Sequence, residues 1–194
     1  MSRDRPAPGH RVFHVARRAL SRRAFLCLGF GMPVSPRSSS ASVPPRRIAV
    51  ISDTHDRCPA ALPVLLAAAD EIWHLGDVCD PATLVELEAL GVPLRVVRGN
   101  NDEHPWPLVL RLERGGRHFH LEHIAPRRAP PGAAFVLSGH THVPSDTTDG
   151  QGVRWLNPGC ITRPRARVRG FAWLTVGVDG AVGWAPVEIG TGPG

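Results

Sequence analysis

The sequence predicts an α/β fold in which two β-sheets stack on each other and helices lie outside them. In the first half, short β-branched apolar runs alternate with helical segments, an order typical of βαβ units around a parallel sheet. The second half is mostly strand-like and closes with a hairpin whose alternation indicates one solvated face. A length of 194 residues with 42% hydrophobic residues suits one domain with a proper core.

The first half contains three predicted strands, which share apolar composition and end in polar residues. They cover residues 48–51, 71–75 and 94–97. Residues 59–69 predict a short helix between the first two strands, despite Pro63. A second, amphipathic helix starts at the N-cap Asp80 with Pro81 in its first position, runs to residue 90 and ends at Gly91.

The second half contains predicted strands only. A hairpin, a strand after it, a further strand and the closing hairpin cover residues 108–112 with 117–123, 134–137, 153–156, and 171–178 with 181–189. Together with the first half, these segments predict two stacked sheets with helices outside them and no internal repeats.

Seven polar side chains follow the predicted strands at the points where the strands end: Asp53, His55, Asp77, Asn100, His123, His140 and His142. In sheets of this kind, ligands gather beyond the carboxyl ends of the strands. Each residue taken alone is better explained as a helix cap or a satisfied core residue, but seven at one edge indicate a metal centre. A carboxylate such as Asp77 has two oxygens and can bridge two cations about 3.5–4 Å apart, the spacing of dinuclear hydrolytic sites.

Charge is distributed unevenly along the chain. Residues 1–47 hold ten Arg and one acid, Asp4, whereas residues 48–194 hold thirteen Arg and sixteen acids. The formal net charge of +6 therefore belongs to the N-terminal tail, and it says little about the substrate. The chain has no lysine, which excludes a Walker-A lysine, a Schiff-base lysine and the ATP-binding lysine of a kinase.

Residues 1–46 are rich in Arg, Ser and Pro, and we expect a disordered extension there, followed by a folded domain over residues 47–194. Ser21-Arg22-Arg23-Ala24-Phe25-Leu26 resembles a twin-arginine export signal, while a start codon assigned too far upstream or a transit peptide are the alternatives. Four cysteines without a C-x-x-C pair favour a reducing compartment, and we expect the cytoplasm, with export as the alternative. No apolar stretch has the length of a membrane span.

The ordered motifs Asp53-x-His55, Gly76-Asp77, Gly99-Asn100-Asn101-Asp102, His123 and Gly139-His140-Thr141-His142 resemble the calcineurin-like metallophosphoesterase superfamily. Their short spacing and Asn157-Pro158-Gly159-Cys160 are similar to the small YfcE-type phosphodiesterases. The resemblance covers residues 47 to about 190. It implies a four-layer sandwich of two mixed β-sheets flanked by helices.

The resemblance also implies the chemistry. One metal would be held by Asp53, His55, Asp77 and His142, and the other by Asp77, Asn100, His123 and His140. The expected function is phosphoester hydrolysis, with a phosphodiester favoured over a monoester, by in-line attack of a metal-bridging hydroxide. Manganese is the expected metal, and Ni²⁺, Zn²⁺, Fe²⁺ and Co²⁺ are alternatives. Asp77, Asn100, Asp102 and His140 form the predicted catalytic set, in which Asp102 orients a ligand through a carboxylate-to-imidazole hydrogen bond.

Three positions depart from the pattern of many relatives. Asn101 stands where many have a histidine that protonates the leaving group, although small YfcE-type members lack that histidine too. His104 is a conceivable substitute, but an exposed loop histidine is the expected state. Ile124 replaces a common Gly and is expected to crowd the second metal, and Cys160 replaces a Ser as a small buried thiol.

Three further histidines are not expected to bind metal. His118 and His120 lie on the opposite face of their strand from His123, and we expect both to face solvent. His74, inside the second strand, is expected to satisfy a hydrogen bond in the core.

Two other functions stay open. The retromer subunit of this fold is a protein-interaction scaffold, so a non-catalytic scaffold is the alternative to an enzyme. Nucleic-acid binding through the Arg-rich tail is a third hypothesis, but the tail lacks the interleaved aromatic residues that would indicate base stacking. We therefore expect a small phosphoester substrate, no membrane or nucleic-acid partner, and leave a homo-oligomer open.

Overall fold

The computed structural model describes residues 44–162 and 168–190, all of which belong to one compact unit spanning residues 41–194. The predicted extension and its export motif fall almost wholly in residues 1–43, outside the described residues. Within the described ranges, no helix has the length and apolar character needed to cross a membrane.

The first sheet contains five strands in the order β10-β9-β1-β2-β3. Their bounds are Arg46–Ile51 (β1), Glu71–His74 (β2), Leu94–Val96 (β3), Gly170–Val176 (β9) and Val182–Glu188 (β10). The central strand β1 pairs in parallel with β2 and antiparallel with β9, so the sheet is mixed. The chain thus adds the closing hairpin to the edge of a parallel βαβ core.

The second sheet also contains five strands, in the order β4-β5-β6-β8-β7. Their bounds are Val109–Arg114 (β4), Arg117–Glu122 (β5), Phe135–Leu137 (β6), Ser145–Thr148 (β7) and Arg154–Asn157 (β8). The pairs β5–β6 and β6–β8 are parallel, while β4–β5 and β7–β8 are antiparallel. This sheet is mixed as well, which confirms the predicted fold class.

The period of two in β1 produces two apolar cores. Ile48 and Val50 point toward the second sheet and pack with Phe119 of β5, whereas Ala49 and Ile51 point the other way and pack with the helices. All four side chains are fully buried. A strand that is apolar on both faces therefore lies at the centre of the layered structure, as its continuous apolar run predicts.

The helices of the described residues are shorter than predicted and pack on the first sheet. Helix α1 covers Ala61–Leu66, and the second helical segment is a 3₁₀ turn, Pro81–Leu84, followed by a short helix α2, Val85–Glu88. The predicted cap is present, because Asp80 Oδ1 accepts a hydrogen bond of 2.9 Å from the Ala82 amide.

Two features of the second sheet differ from the expectations. Strand β7 was not predicted, because its four residues are exposed and polar and give no alternating signal. His118 is exposed as expected, but His120 is buried, with 3% of its surface exposed, and its Nε2 lies 2.9 Å from Glu122 Oε2. Residues 130–133 and His120 line the same cavity, a neighbourhood that strand parity alone could not reveal.

A buried carboxylate ties the two sheets together at the end of β2 away from the polar motifs. Glu71 is fully buried, and its oxygens accept hydrogen bonds from Arg95 (2.6 Å) and from Arg114 (2.8 and 3.0 Å), while Arg46 lies at 3.6 Å. Burial alone would raise the pKa of Glu71, but the hydrogen bonds and charges of the arginines outweigh it, so the pKa lies below its usual range.

We predict that Glu71→Gln lowers the free energy of unfolding by about 3 kcal/mol. Arg114 would lose its charged partner and one of the two oxygens that accept its hydrogen bonds in a largely dry environment. Since the folded-state pKa of Glu71 is depressed, its stabilising contribution is complete above the unfolded-state pKa and disappears as the pH falls through the folded-state pKa. Urea unfolding at pH 7 and pH 3 measures both effects, and the difference between wild type and variant should shrink at the lower pH.

The matched control is Arg46→Ala, because Arg46 faces the same carboxylate from 3.6 Å with 52% of its side chain exposed. An exposed ion pair contributes about 0–1 kcal/mol, so this variant should unfold close to wild type. Equal losses for the two variants would contradict the role assigned to the buried bonds.

Candidate metal centre

The turns that carry the predicted ligands have a left-handed backbone. The φ angles are 56° at Asp53, 43° at His55, 57° at Asp77, 64° at His140 and 60° at His142. Residues with a Cβ rarely adopt this conformation, and it costs of order 1 kcal/mol each. The surrounding structure must impose it, and the benefit is that each side chain turns back over the end of its own strand.

Neighbouring turns are also hydrogen-bonded to each other. The Asp53 amide donates to the Gly76 carbonyl at 3.0 Å, and the His55 amide donates to the Asp77 carbonyl at 3.0 Å. The loops after β1 and β2 therefore continue the parallel pairing of their strands. This fixes the distance between Asp53 and Asp77.

Two glycines of the motifs allow a close approach of backbone to carboxylate. A Cβ at Gly99 would collide with the backbone and side chain of Asp77, and one at Gly139 would collide with Ser52 and lie 2.9 Å from Asp53 Oδ2. Both positions therefore exclude a side chain. The Gly-Asn and Gly-His steps of the sequence have a packing reason independent of any chemistry.

One group of side chains that could hold a metal ion consists of Asp53, His55 and His142. Nε2 of His142 lies 3.1 Å from Asp53 Oδ1 and 3.4 Å from Nε2 of His55, and the latter lies 3.8 Å from the same Asp53 oxygen. Three potential ligand atoms from opposite ends of the domain sequence thus converge on one point. Oxygen and imidazole ligands together suit a borderline divalent cation.

A second such group consists of Asp53, Asp77 and His123, all buried. Asp77 Oδ2 lies 3.4 Å from Nε2 of His123 and 3.8 Å from Nε2 of His55, so this oxygen lies between the two histidines. The two groups share Asp53, and Asp77 adjoins both.

Asn100 and His140 complete the set of seven. Asn100 Oδ1 lies 3.1 Å from Nε2 of His123, although Asn100 itself is exposed. The ring of His140 stands edge-on to that of His123, with 5.3 Å between ring centroids. The structure therefore brings all seven side chains to one edge. The division into two ligand sets stays a prediction.

Asp53 is the least compensated charge of the cluster. Its Oδ2 accepts hydrogen bonds from Ser52 Oγ (2.6 Å) and the His140 amide (3.1 Å), but its buried Oδ1 has no aligned donor among the described residues, even though His142 is near. Burial raises the pKa of Asp53, and the hydrogen bond from Ser52 offsets only part of that effect. A carboxylate oxygen left bare in a dry site favours a cation beside it.

Asp77 and His123 form the opposite case. Burial acts against the charge on Asp77, but His123 and two hydrogen bonds from Asn101, from its amide at 2.9 Å and its side chain at 2.7 Å, hold the pKa of Asp77 below its usual range. Burial would lower the pKa of His123, yet the adjacent Asp77 carboxylate raises it on balance. Asp77 is therefore ionised in the folded protein.

Asp102 acts differently from the prediction. We expected a hydrogen bond to an imidazole, but its carboxylate accepts from three backbone amides, those of Gly99 (2.6 Å), Asp77 (2.9 Å) and Cys79 (2.7 Å). Asp102 thus joins the loop after β2 to the loop after β3. The Asx-type bond to Gly99, three residues earlier, is a local pattern that the sequence could have suggested, but the bonds across 23 and 25 residues are not.

Buried polar residues form a hydrogen-bonded layer beneath the turns, and only the hydrogen bond of His74 was predicted from the sequence. Thr54 Oγ1 lies 3.1 Å from Nε2 of His74, whose Nδ1 accepts from the Gly76 amide at 3.2 Å, and Thr162 Oγ1 donates to the Thr54 carbonyl at 2.9 Å. Burial lowers the pKa of His74 to about 3, so this histidine is neutral. The predicted core hydrogen bond of His74 is confirmed, whereas Ser52 and Thr162 gave no signal in the sequence.

The positions discussed as departures from the family pattern differ in how exposed they are. His104 is exposed, with its ring 4.4 Å from that of Trp106. Ile124 has 50% of its surface exposed and lines a cleft with Asn100 and His123. Cys160 is fully buried, as expected.

A layered α/β domain with Asp, Asn and His clustered at the strand ends is an arrangement typical of metal-dependent hydrolases. Residues 47–179 match the family model "Calcineurin-like phosphoesterase superfamily domain". The chain belongs to this superfamily, which confirms the resemblance predicted from the motifs. The family description points to phosphoester hydrolysis, and the Asp and His groups described above could hold divalent metal ions.

Known proteins similar to this chain carry the same fold. A "Probable metallophosphoesterase" of Methanothermobacter thermautotrophicus is 34% identical over 137 residues, which cover 61% of this chain and 78% of the relative. An archaeal phosphodiesterase superposes with a TM-score of 0.63 at 18% identity, covering 74% of this chain and 99% of that structure. The phosphoesterase YfcE of E. coli gives 0.58 at 20% identity, covering 74% and 98% of the two chains.

The vacuolar protein sorting 29 protein of Cryptosporidium parvum has the same fold too. Its TM-score is 0.59 at 19% identity, and the match covers 77% of this chain and all of that structure. At these identities the structural likeness speaks for the fold alone.

We predict that Asp102→Asn lowers the free energy of unfolding by about 2 kcal/mol, because its amide nitrogen would face backbone donors and at least one charge-assisted bond would be lost. The loop between Gly99 and Asp77 should loosen, so metal affinity should fall as well. Urea unfolding and titration with Mn²⁺ measure the two effects.

Glu103→Gln is the matched control, since it removes the charge of the next residue, which is exposed. It should leave both stability and metal affinity near wild type. If Asp102→Asn behaves like this control, the three amide bonds do not organise the site.

Proposed function

We propose that this protein is a dinuclear metal-dependent phosphoesterase that acts on phosphodiesters. The observation that carries the proposal is the buried Asp53 Oδ1, which no hydrogen-bond donor of the described residues satisfies although it faces Nε2 of His142 at 3.1 Å. Leaving such an atom bare is costly unless a cation or a proton compensates it. The bare oxygen, the surrounding imidazoles and the ionised Asp77 fit a site for divalent cations.

The hydrogen bonds fix which atoms are available as ligands. Nδ1 of His123 lies 2.7 Å from the Leu75 carbonyl, which can only accept, so Nδ1 carries a proton. Nε2 faces the site beside Asn100 Oδ1 and Asp77 Oδ2, and it would bind a cation as a lone-pair donor after losing its own proton. Ser52 and the His140 amide occupy Asp53 Oδ2 and leave Oδ1 to the site. The ligand atoms are thus oriented before any cation is bound.

We assign one cation to Asp53, His55, Asp77 and His142, and the other to Asp77, Asn100, His123 and His140. When bound, the two cations would supply Lewis acidity, lowering the pKa of a water and neutralising charge on the phosphate. Manganese suits a set that mixes carboxylate, amide oxygen and imidazole, with Ni²⁺, Zn²⁺, Fe²⁺ and Co²⁺ as alternatives.

The surrounding residues favour esters with a good leaving group. Asn101 is neutral and uses its side chain to donate to Asp77 at 2.7 Å, so it cannot protonate a leaving oxygen. His104 is exposed, and its ring is tilted by 48° against that of Trp106. A phosphodiester carries a single negative charge, which asks less of the charge-neutralising groups than a monoester dianion does. We further propose that the substrate is a small molecule and that the protein acts in the cytoplasm, with export of the protein as the alternative.

We predict Mn²⁺-stimulated hydrolysis of bis(p-nitrophenyl) phosphate by the full chain, and a loss of at least about 100-fold in kcat/KM for Asp77→Ala. The carboxylate lies between His55 and His123, so its removal affects both halves of the site. Asp146→Ala removes an exposed carboxylate that pairs with Arg154 and should retain full activity. Equal rates for wild type and Asp77→Ala would refute the proposal.

A non-catalytic scaffold is the alternative function, because vacuolar protein sorting 29 has the same fold, and metal binding separates a scaffold from an enzyme. If the site binds Mn²⁺, a concentration one hundred times the dissociation constant stabilises the protein by about 2.7 kcal/mol. The melting temperature should then rise by roughly 5–10 °C. A melting temperature that ignores both Mn²⁺ and a chelator would favour the scaffold.

A further inference from the structure

A cleft of about 340 Å³ opens beside the metal centre, on the side of Asn100 and His123. Leu108 and Ile124 line it together with Arg98, and these two apolar side chains have 57% and 50% of their surface exposed. Apolar side chains left partly open beside a few polar groups are typical of small-molecule sites. The cleft therefore offers a hydrophobic wall next to the proposed reaction centre.

The wall is attached to the elements that carry the candidate ligands. Ile124 directly follows His123, whose ring is held by the Leu75 carbonyl. Arg98 lies two residues before Asn100, and its amide donates to the Pro107 carbonyl at 2.8 Å, which places Leu108 beside the end of β3. The cleft is thus preformed by the same contacts that position Asn100 and His123.

The polar groups of the cleft complement the apolar ones. Within the described residues, the guanidinium of Arg98 makes no hydrogen bond or ion pair, whereas Glu122 is engaged with His120 at 2.9 Å. A guanidinium is planar, stacks on flat rings and donates hydrogen bonds to acceptors on a ring edge. A flat ring with hydrogen-bond acceptors would satisfy both the arginine and the apolar wall.

We propose that this cleft binds a ring-bearing ester group of the phosphodiester substrate, with Leu108 and Ile124 against the ring and Arg98 at its edge. The inference rests on the phosphoesterase function proposed above and adds its substrate class. A volume near 340 Å³ lies at the small end of ligand pockets, enough for one ring system and too little for a folded polymer. The ring is an aryl group or a nucleobase, which share this chemistry.

Calorimetric titration of the Mn²⁺-loaded full chain tests the proposal without turnover. The probes are methylphosphonate, which has no ring, phenylphosphonate, which has one aromatic ring, and thymidine 5′-monophosphate, which has one nucleobase on its sugar. Wild type should bind phenylphosphonate about 10-fold more tightly than methylphosphonate, as expected for filling an apolar pocket. In the double variant Leu108→Ala/Ile124→Ala the two should bind within about 2-fold of each other.

Val143→Ala is the matched control, because Val143 follows His142 as Ile124 follows His123 and is also exposed, at 42%, but does not line the cleft. It should keep the wild-type preference. Melting temperatures of all variants verify folding. Arg98→Ala should weaken the binding of thymidine 5′-monophosphate by about 5- to 10-fold, because its base has hydrogen-bond acceptors on its edge. It should weaken the binding of methylphosphonate by less than 2-fold.

The order of the two ring probes identifies the source of the ring: tighter binding of the nucleotide indicates a nucleobase, and tighter binding of phenylphosphonate indicates a simple aryl group. Wild type that binds methylphosphonate as tightly as both ring probes would overturn the proposal. So would a double variant that keeps the full preference. Preference for rings in a protein that hydrolyses no phosphodiester would instead refute the phosphoesterase function and leave the cleft assignment standing.

Discussion

Buried negative charge at the ends of β1 and β2 is the constraint around which the site is arranged. Asp53 and Asp77 are both buried, and like charges in a dry environment repel each other and lose hydration. The protein surrounds them with imidazoles, with the hydroxyl of Ser52 and with the donors of Asn101. Among the described residues, however, no hydrogen-bond donor satisfies Oδ1 of Asp53. The left-handed turns add strain to this electrostatic cost. The domain tolerates both because two apolar cores and the buried Glu71 bonds stabilise it elsewhere.

The residues that a strand delivers to its own end could be predicted from the sequence, because an apolar run followed by Asp or His defines the position locally. The fold class followed from the same alternation. What could not be predicted depends on distant segments. Asp102 accepts hydrogen bonds from amides more than twenty residues away, and His120 is buried on the strand face where the residue pattern predicted exposure. Strand β7 has no apolar face, so its pairing with β8 leaves no periodic trace.

The fold by itself does not decide between enzyme and scaffold, since vacuolar protein sorting 29 and the phosphoesterase YfcE both share it with this chain. The distinction depends on side chains. A surface used only for protein contacts has no need of a strained cluster of buried carboxylates, whereas a metal centre requires such a cluster before the cation arrives. The half-open apolar cleft beside Asn100 and His123 is where we propose that substrates are selected.

The position of β1 in the sheet has a consequence for biosynthesis. Its partner β9 begins at Gly170, so the strand synthesised first must wait for well over a hundred residues before its antiparallel edge is covered. His140 and Asp53 are likewise 87 residues apart in the chain, and Thr162 reaches back 108 residues to Thr54. Topologies with such separated contacts fold slowly and expose unpaired strand edges on the way. A ribosome-bound chain would therefore present the apolar run of β1 to chaperones or to other nascent copies until the last hairpin emerges.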